Sequence, residues 1–116
     1  MLFVCYPKCT TCQKARKWLA ENDVEYIERH IVENNPSYEE LKEWHKISKL
    51  PLKKFFNTSG MLYREMQLKD KLPSMDEDEM LKLLATNGML VKRPLLVSDD
   101  KVLVGFKAAE WEELLS

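Results

Sequence analysis

Tyr6-Pro7-Lys8-Cys9-Thr10-Thr11-Cys12-Gln13-Lys14-Ala15-Arg16 joins two different patterns. Before it, Leu2-Phe3-Val4-Cys5-Tyr6 is an apolar run of the kind that forms a buried strand. After it, Ala15, Trp18 and Leu19 fall on one helical face. Cys9 and Cys12 therefore sit where a strand hands over to a helix. A helix start offers unpaired backbone N–H groups and the positive end of the helix dipole, and both favour a thiolate over a thiol. Lys8, Lys14, Arg16 and Lys17 add positive charge nearby. Cys9, at the helix mouth, is the expected nucleophile. Cys12, one turn further in, is placed to close a disulfide and release whatever Cys9 has captured.

A cysteine pair at this spacing admits three readings. A zinc site needs further ligands, and the chain offers only Cys5, His30 and His45, with no paired spacing. Two structural cysteines in a core are the plainer alternative, because free cysteine is often only buried. A redox pair is the reading that the strand-to-helix context favours. Cys5, inside the first strand with no charge beside it in sequence, is expected to be buried and inert.

Moving outward, the first helix is expected to run from about Thr10 to Asn22. Val24 to Ile31 reads as a second strand, parallel to the first because a helix joins them. In it Val24, Tyr26, Glu28 and His30 face one way, Ile27 and Ile31 the other. His30 reads as a partly exposed strand residue, since no catalytic partner is evident. Ser37 is a candidate N-cap for a helix carrying Leu41 and Trp44, with Glu39 and Glu40 in its first turn. Thr58-Ser59-Gly60 is a turn in which Gly60 is expected to supply an unusual backbone angle. Met61 to Leu68 reads as one short helix, followed by a charged connector at Lys69 to Pro73. A further helix is expected from Ser74, with Asn87-Gly88 at its C-terminal end. Leu95-Leu96-Val97, the turn Ser98-Asp99-Asp100-Lys101 and Val102-Leu103-Val104 read as a hairpin. A last helix places Trp111, Leu114 and Leu115 inward.

This order is α/β. It is the plan of a thioredoxin-like domain: a mixed four-stranded sheet, flanking helices, and a helical insertion at about 36–88 between strands 2 and 3. A chain of 116 residues, 45% apolar, supports a single domain over 1–116. Three cysteines do not make a secreted disulfide framework. The chain runs straight into its first strand without a signal peptide, and no stretch has the length of a membrane span. The expectation is a soluble protein of a reducing cytoplasm, where a close cysteine pair is more often catalytic than structural. A net charge of −1 gives no basic field for nucleic acid.

Several motifs together resemble the Spx and arsenate-reductase family across nearly the whole chain. They are Tyr6 to Ala15, Lys92-Arg93-Pro94-Leu95, and Lys54-Phe55-Phe56-Asn57-Thr58-Ser59-Gly60 with Leu62-Tyr63-Arg64. The last of these resembles the uncharacterised Spx-like reductase branch. The resemblance implies that Cys9 attacks an oxyanion or disulfide, and that Arg93, before a cis-proline at Pro94, binds the negative group. Lys8, Thr10 and Thr11 would flank the anion. The arsenate reductases use two further arginines, near positions held here by Asn57 and Lys107, so arsenate binding is expected to be weak; Arg64 is a candidate substitute. Glutathione with glutaredoxin, or thioredoxin, would donate electrons, with no bound metal or flavin. The alternative implied by the same resemblance is an Spx-type redox switch that binds the RNA polymerase alpha subunit.

Overall fold

The structure, a computed structural model, describes residues 1–115. The side chain of Leu115, expected to point inward, lies outside what is described, as does residue 116.

Strand β1 (Leu2–Cys5) pairs in parallel with β2 (Ile27–His30), with Leu2 opposite Ile27 and Cys5 opposite His30. Helix α1 (Thr10–Glu21) makes the crossover between them. Strand β3 (Leu95–Val97) lies antiparallel on the other side of β1, and β4 (Val102–Val104) antiparallel to β3. The sheet order is β2-β1-β3-β4, which is the expected mixed four-stranded sheet. Helix α6 (Ala108–Leu115) closes the chain. Between β2 and β3 lie α2 (Tyr38–Ser48), α3 (Met61–Glu65), α4 (Leu68–Lys71) and α5 (Glu77–Leu84), with 3-10 turns at Leu52–Phe55, Leu72–Ser74 and Gly88–Leu90.

Side chains alternate along a strand, so the sheet has two faces and a core on each. Phe3 and Cys5 of β1 and Leu96 of β3 face α1 and α6, where they meet Cys12, Ala15, Leu19 and Trp111. Val4 and Leu95 face the helical insertion, with Leu41, Phe55, Leu68 and Leu84 among their cluster. Each such side chain, fully buried, contributes about 1.5–3 kcal/mol. Ile31 joins the insertion-side core, whereas Ile27 on the same face is 73% exposed because the insertion does not extend over it.

Local signals set most element ends. Ser37 caps α2 by accepting from the Glu40 N–H, and the Glu40 carboxylate accepts from the Ser37 N–H, a complete capping box. Asp76 and Glu79 do the same for α5, so that helix begins at Glu77 rather than at Ser74, which belongs to the preceding turn. The second strand is shorter than expected: the Val24 N–H still bonds back to the Leu19 carbonyl of α1, and pairing starts only where β1 does, with Ile27 opposite Leu2.

The expected helix over Met61 to Leu68 is two helices, α3 and α4, broken at Gln67 (φ 54°). Tyr63 and Leu68 are both buried. On one continuous helix of about 100° per residue they would point about 140° apart. The break lets both reach the core, and the supposed connector continues as α4 and a 3-10 turn. Two glycines also act differently from expectation. Gly60 has an ordinary backbone (φ −76°), and what excludes a side chain there is Asn57, whose Nδ2 would lie 2.7 Å from a Cβ. Gly88 does not cap α5, which ends at Leu84. It packs against the Ile31 carbonyl oxygen, only 1.8 Å from where a Cβ would be.

Candidate active site

The chain leaves β1 at Tyr6, turns over Pro7 and Lys8, and enters α1 with Cys9 as the N-cap residue in an extended conformation (φ −82°, ψ 125°). Cys9 caps the helix without a side-chain hydrogen bond to the turn in front of it. Cys12 lies in the first turn, and the two cysteines are 3.8 Å apart. Cys5, Cys9 and Cys12 are all free thiols; Cys9 is partly exposed, and the other two are fully buried.

These positions separate the thiols chemically. Burial raises the Cys9 pKa, but the backbone N–H groups of Cys12 and Thr11, the Cys12 thiol and Arg93 all stand where they favour the thiolate, and together they bring it below the usual 9.0. Cys12 moves the other way. Its hydrogen bond to Cys5, its burial and its closeness to Cys9 all favour the neutral thiol, and only the Tyr6 N–H, 3.4 Å from its sulfur, opposes them. The helix mouth thus holds an ionisable nucleophile next to a proton-holding thiol.

Cys5 is buried as expected, but it is not without charge. Arg16 Nη2 stands 3.7 Å from its sulfur while the same guanidinium binds Glu28 through two 3.0 Å contacts. The Cys12 hydrogen bond and Arg16 bring the Cys5 pKa down, against burial and Glu28. Linear sequence hid this because Arg16 reaches Cys5 from the neighbouring helix.

A pocket of about 430 Å³ opens in front of Cys9. Of the residues singled out in the sequence, Cys9, Thr11, Asn57, Arg93 and Lys107 line it. Lys8 and Thr10 are exposed beside it without lining it, and Arg64 is exposed outside it. Pro94 is buried behind the wall, and the Arg93–Pro94 peptide bond is cis, as the resemblance implied. Ser59, Gly60, Lys92 and Phe106 also line the pocket, and none was singled out as a site residue. Their signal was adjacency: Ser59 and Gly60 follow Asn57, and Lys92 and Phe106 flank Arg93 and Lys107.

Arg93 is positioned by several contacts. Its guanidinium carbon lies 5.2 Å from the centre of the Tyr6 ring, and Nη1 reaches the Met89 carbonyl at 3.4 Å. Its Nε is buried without a hydrogen-bond partner. An unpaired buried donor of this kind is costly unless a ligand meets it. Asn57, 8% exposed, is held by its own backbone N–H to the Leu90 carbonyl and by Ser59 Oγ, which donates to its Oδ1. His30 is not part of the site. Its Nδ1 accepts from the N–H groups of Val32 and Glu33, which secures the turn after β2.

The model of the ArsC family matches residues 5–114. The chain belongs to the ArsC family. Within it, the uncharacterized protein YusI of Bacillus subtilis is 58% identical over 97% of this chain and 96% of its own length. The global transcriptional regulator Spx of Staphylococcus epidermidis is 29% identical over 94% of this chain and 82% of its own length. Among solved structures, an ArsC-family-related protein from Bacteroides fragilis superposes with a TM-score of 0.96 at 62% identity, covering 97% of this chain and 95% of that one. A protein from Streptococcus mutans described as a possible arsenate reductase gives 0.90 at 44% identity, covering 99% and 97%. The chain is thus similar both to a structure described as a possible arsenate reductase and to a sequence named a transcriptional regulator. Among the described residues no helix is long and apolar enough to cross a membrane.

Proposed function

We propose that this chain is a thiol–disulfide oxidoreductase of a reducing cytoplasm, with Cys9 as nucleophile, Cys12 as resolving thiol and Arg93 as the anchor for negative charge. One observation carries the reading: Cys9 sits at a helix mouth, where Arg93 and the first-turn N–H groups favour its thiolate, 3.8 Å from a thiol that keeps its proton.

The exchange balances in two steps. The Cys9 thiolate attacks one sulfur of the substrate disulfide; that S–S bond breaks and the first substrate thiolate leaves, while Cys9 becomes a mixed disulfide. Cys12 gives up its proton and attacks Cys9 Sγ; the second substrate thiolate leaves, and a Cys9–Cys12 disulfide remains. The substrate has gained two electrons and the protein has lost two. An external dithiol, thioredoxin, or glutathione working through glutaredoxin returns them. The acidity of Cys9 favours both its attack and its departure when the protein is re-reduced.

Arsenate is a poor substrate in this account. Asn57 and Lys107 stand where the resemblance places arginines, and lysine is a point charge without the planar fork that holds an oxyanion through two bonds. Each charge-assisted bond lost costs about 1.5–3 kcal/mol, about ten- to a hundredfold in affinity. The test is steady-state turnover of a model disulfide and of arsenate, with thioredoxin or glutaredoxin supplied, by the unaltered protein and by Cys9→Ser. Disulfide turnover that vanishes in Cys9→Ser, with weak arsenate turnover, supports the reading. Disulfide turnover unaffected by Cys9→Ser contradicts it.

A second reading rests on the similarity to Spx: a redox switch in which the state of Cys9 and Cys12 controls binding to the RNA polymerase alpha subunit. Capture of purified alpha subunit by the oxidised or reduced protein, without thiol turnover, is the result that favours it.

A further inference from the structure

The pocket before Cys9 does not end at its far wall. Lys92, Val104 and Lys107 also line a second depression, of about 710 Å³. Around that depression stand Lys53, Lys54, Lys92 and Lys107, with Glu110 as its one carboxylate. The chain as a whole carries a charge of −1. Four cations elsewhere are neutralised by carboxylates: Arg16 by Glu28, Arg29 by Glu40, Lys17 by Glu21 and Lys82 by Asp78. Among the described residues, none of the four groove lysines pairs with a carboxylate. Unpaired charge of one sign in a concave surface focuses potential on whatever enters it.

The groove also borders the outer edge of the sheet, where Val102 is 5% exposed and Val104 is half-buried. Strand β4 is the outermost strand, and Val102, Leu103 and Val104 all line the groove. The bond from the Gly105 N–H to the Pro94 carbonyl, and that from Ser98 to Lys101, fix which residues of β4 turn toward β3. By the two-residue alternation of an antiparallel ladder these are Lys101, Leu103 and Gly105, so the N–H and C=O of Val102 and Val104 point away from the sheet. Among the described residues neither Val102 nor Val104 has a backbone hydrogen bond outside the sheet. A small oxyanion at Cys9 would use neither the outer lysines nor this edge. An extended peptide would use both, by adding a strand.

We propose that the two depressions form one groove for an acidic polypeptide segment, which pairs with the edge of β4 at Val104, sets its carboxylates against Lys53, Lys54 and Lys92, and carries to Cys9 the disulfide that Cys9 attacks. The proposal rests on the thiol-exchange reading above and names its substrate class. Val104 lines both depressions, so a segment paired there arrives at Gly105 and Phe106, which line the Cys9 pocket.

The test uses three peptides of equal length, each with one cysteine linked by a disulfide to a neutral thiopyridyl group. Their flanks are glutamate-rich, uncharged or lysine-rich. The rate of thiopyridone release is measured against the reduced full-length protein at low and high salt. The glutamate-rich peptide is expected to react about tenfold faster than the uncharged one at low salt, with the advantage lost at high salt. Lys53→Glu/Lys54→Glu, two exposed positions, is expected to reverse the order of the charged peptides. N-methylation of alternate backbone amides in the acidic peptide is expected to slow the reaction in one phase of alternation and not the other. Equal rates for the three peptides, or a preference that survives the lysine substitutions, overturns the groove while leaving thiol exchange standing. A charge preference indifferent to N-methylation overturns the strand pairing. If no peptide reacts although Cys9 is reduced, thiol exchange fails, and the proposal with it.

Discussion

On one face of the sheet, α1 and α6 cover Phe3, Cys5 and Leu96; on the other, α2 to α5 cover Val4, Ile31 and Leu95. Both cores are apolar and contain aromatic rings, yet they do different things. The α1 face carries reactive groups inside its packing: Cys12 is both a core residue and a neighbour of Cys9, and Cys5 lies behind it with Arg16. The insertion face carries no thiol. It is a packing platform whose loops deliver Asn57 to Gly60 and Lys92 to the mouth of the other face. The difference teaches that chemistry and stability are separable here. Substitutions on the α1 face should alter reactivity first, and those on the insertion face stability first.

The largest expected effect breaks the first half of that comparison. Cys9→Ser should reduce disulfide exchange to background without lowering the melting temperature, because Cys9 is partly exposed, caps α1 without a side-chain hydrogen bond, and serine is a favoured N-cap. Kinetics and thermal melts on one preparation check it. Leu84→Ala probes the second half. Leu84 is fully buried beneath α5, and removing its side chain should cost about 2–5 kcal/mol in denaturant unfolding while leaving the pH profile of Cys9 alkylation in place. A shift of that profile would show the two faces to be coupled.

Gly88→Ala acts at the seam between β2 and the insertion. Its Cβ would lie 1.8 Å from the Ile31 carbonyl oxygen, a backbone atom that has no rotamer to escape through. A cost of about 1–3 kcal/mol is expected, again without change at Cys9. A neutral outcome would mean that the segment shifts freely and the platform is less rigid than its packing indicates.

The smallest effect is electrostatic. Arg29, with burial opposing and Ser37 assisting, holds the Glu40 carboxyl at about 2, against the usual 4.5. Between those values the unfolded chain binds the proton that the folded chain does not. The stabilisation is therefore complete above pH 4.5 and is lost as pH falls toward 2. Because Glu40 is about a third exposed, solvent screening leaves about 1 kcal/mol. Glu40→Gln should flatten that part of the stability profile in acid unfolding experiments.

The same division governs what could be read in the sequence. The α1 face was legible because its signals are local: a strand, a cysteine pair and a helix follow one another, and the hairpin at Ser98 to Lys101 declares itself. Arg93 and the cis-proline came through the resemblance. The insertion was less legible because tertiary packing sets its breaks. Gln67 interrupts a helix so that Tyr63 and Leu68 can both be buried, and Gly88 is required by a carbonyl distant in sequence rather than by a helix end. The charge beside Cys5 and the lysines of the groove were hidden for the same reason: they meet only when separate elements pack together.

The account turns on the division of labour between Cys9 and Cys12. Site-resolved alkylation of the reduced, unaltered protein across pH, followed by mass spectrometry of each cysteine, tests it most directly. Cys9 should be modified first, with a midpoint below 9.0, while Cys12 stays protected until well above it. Modification of Cys12 at a lower pH than Cys9 would contradict the assignment of nucleophile and resolving thiol.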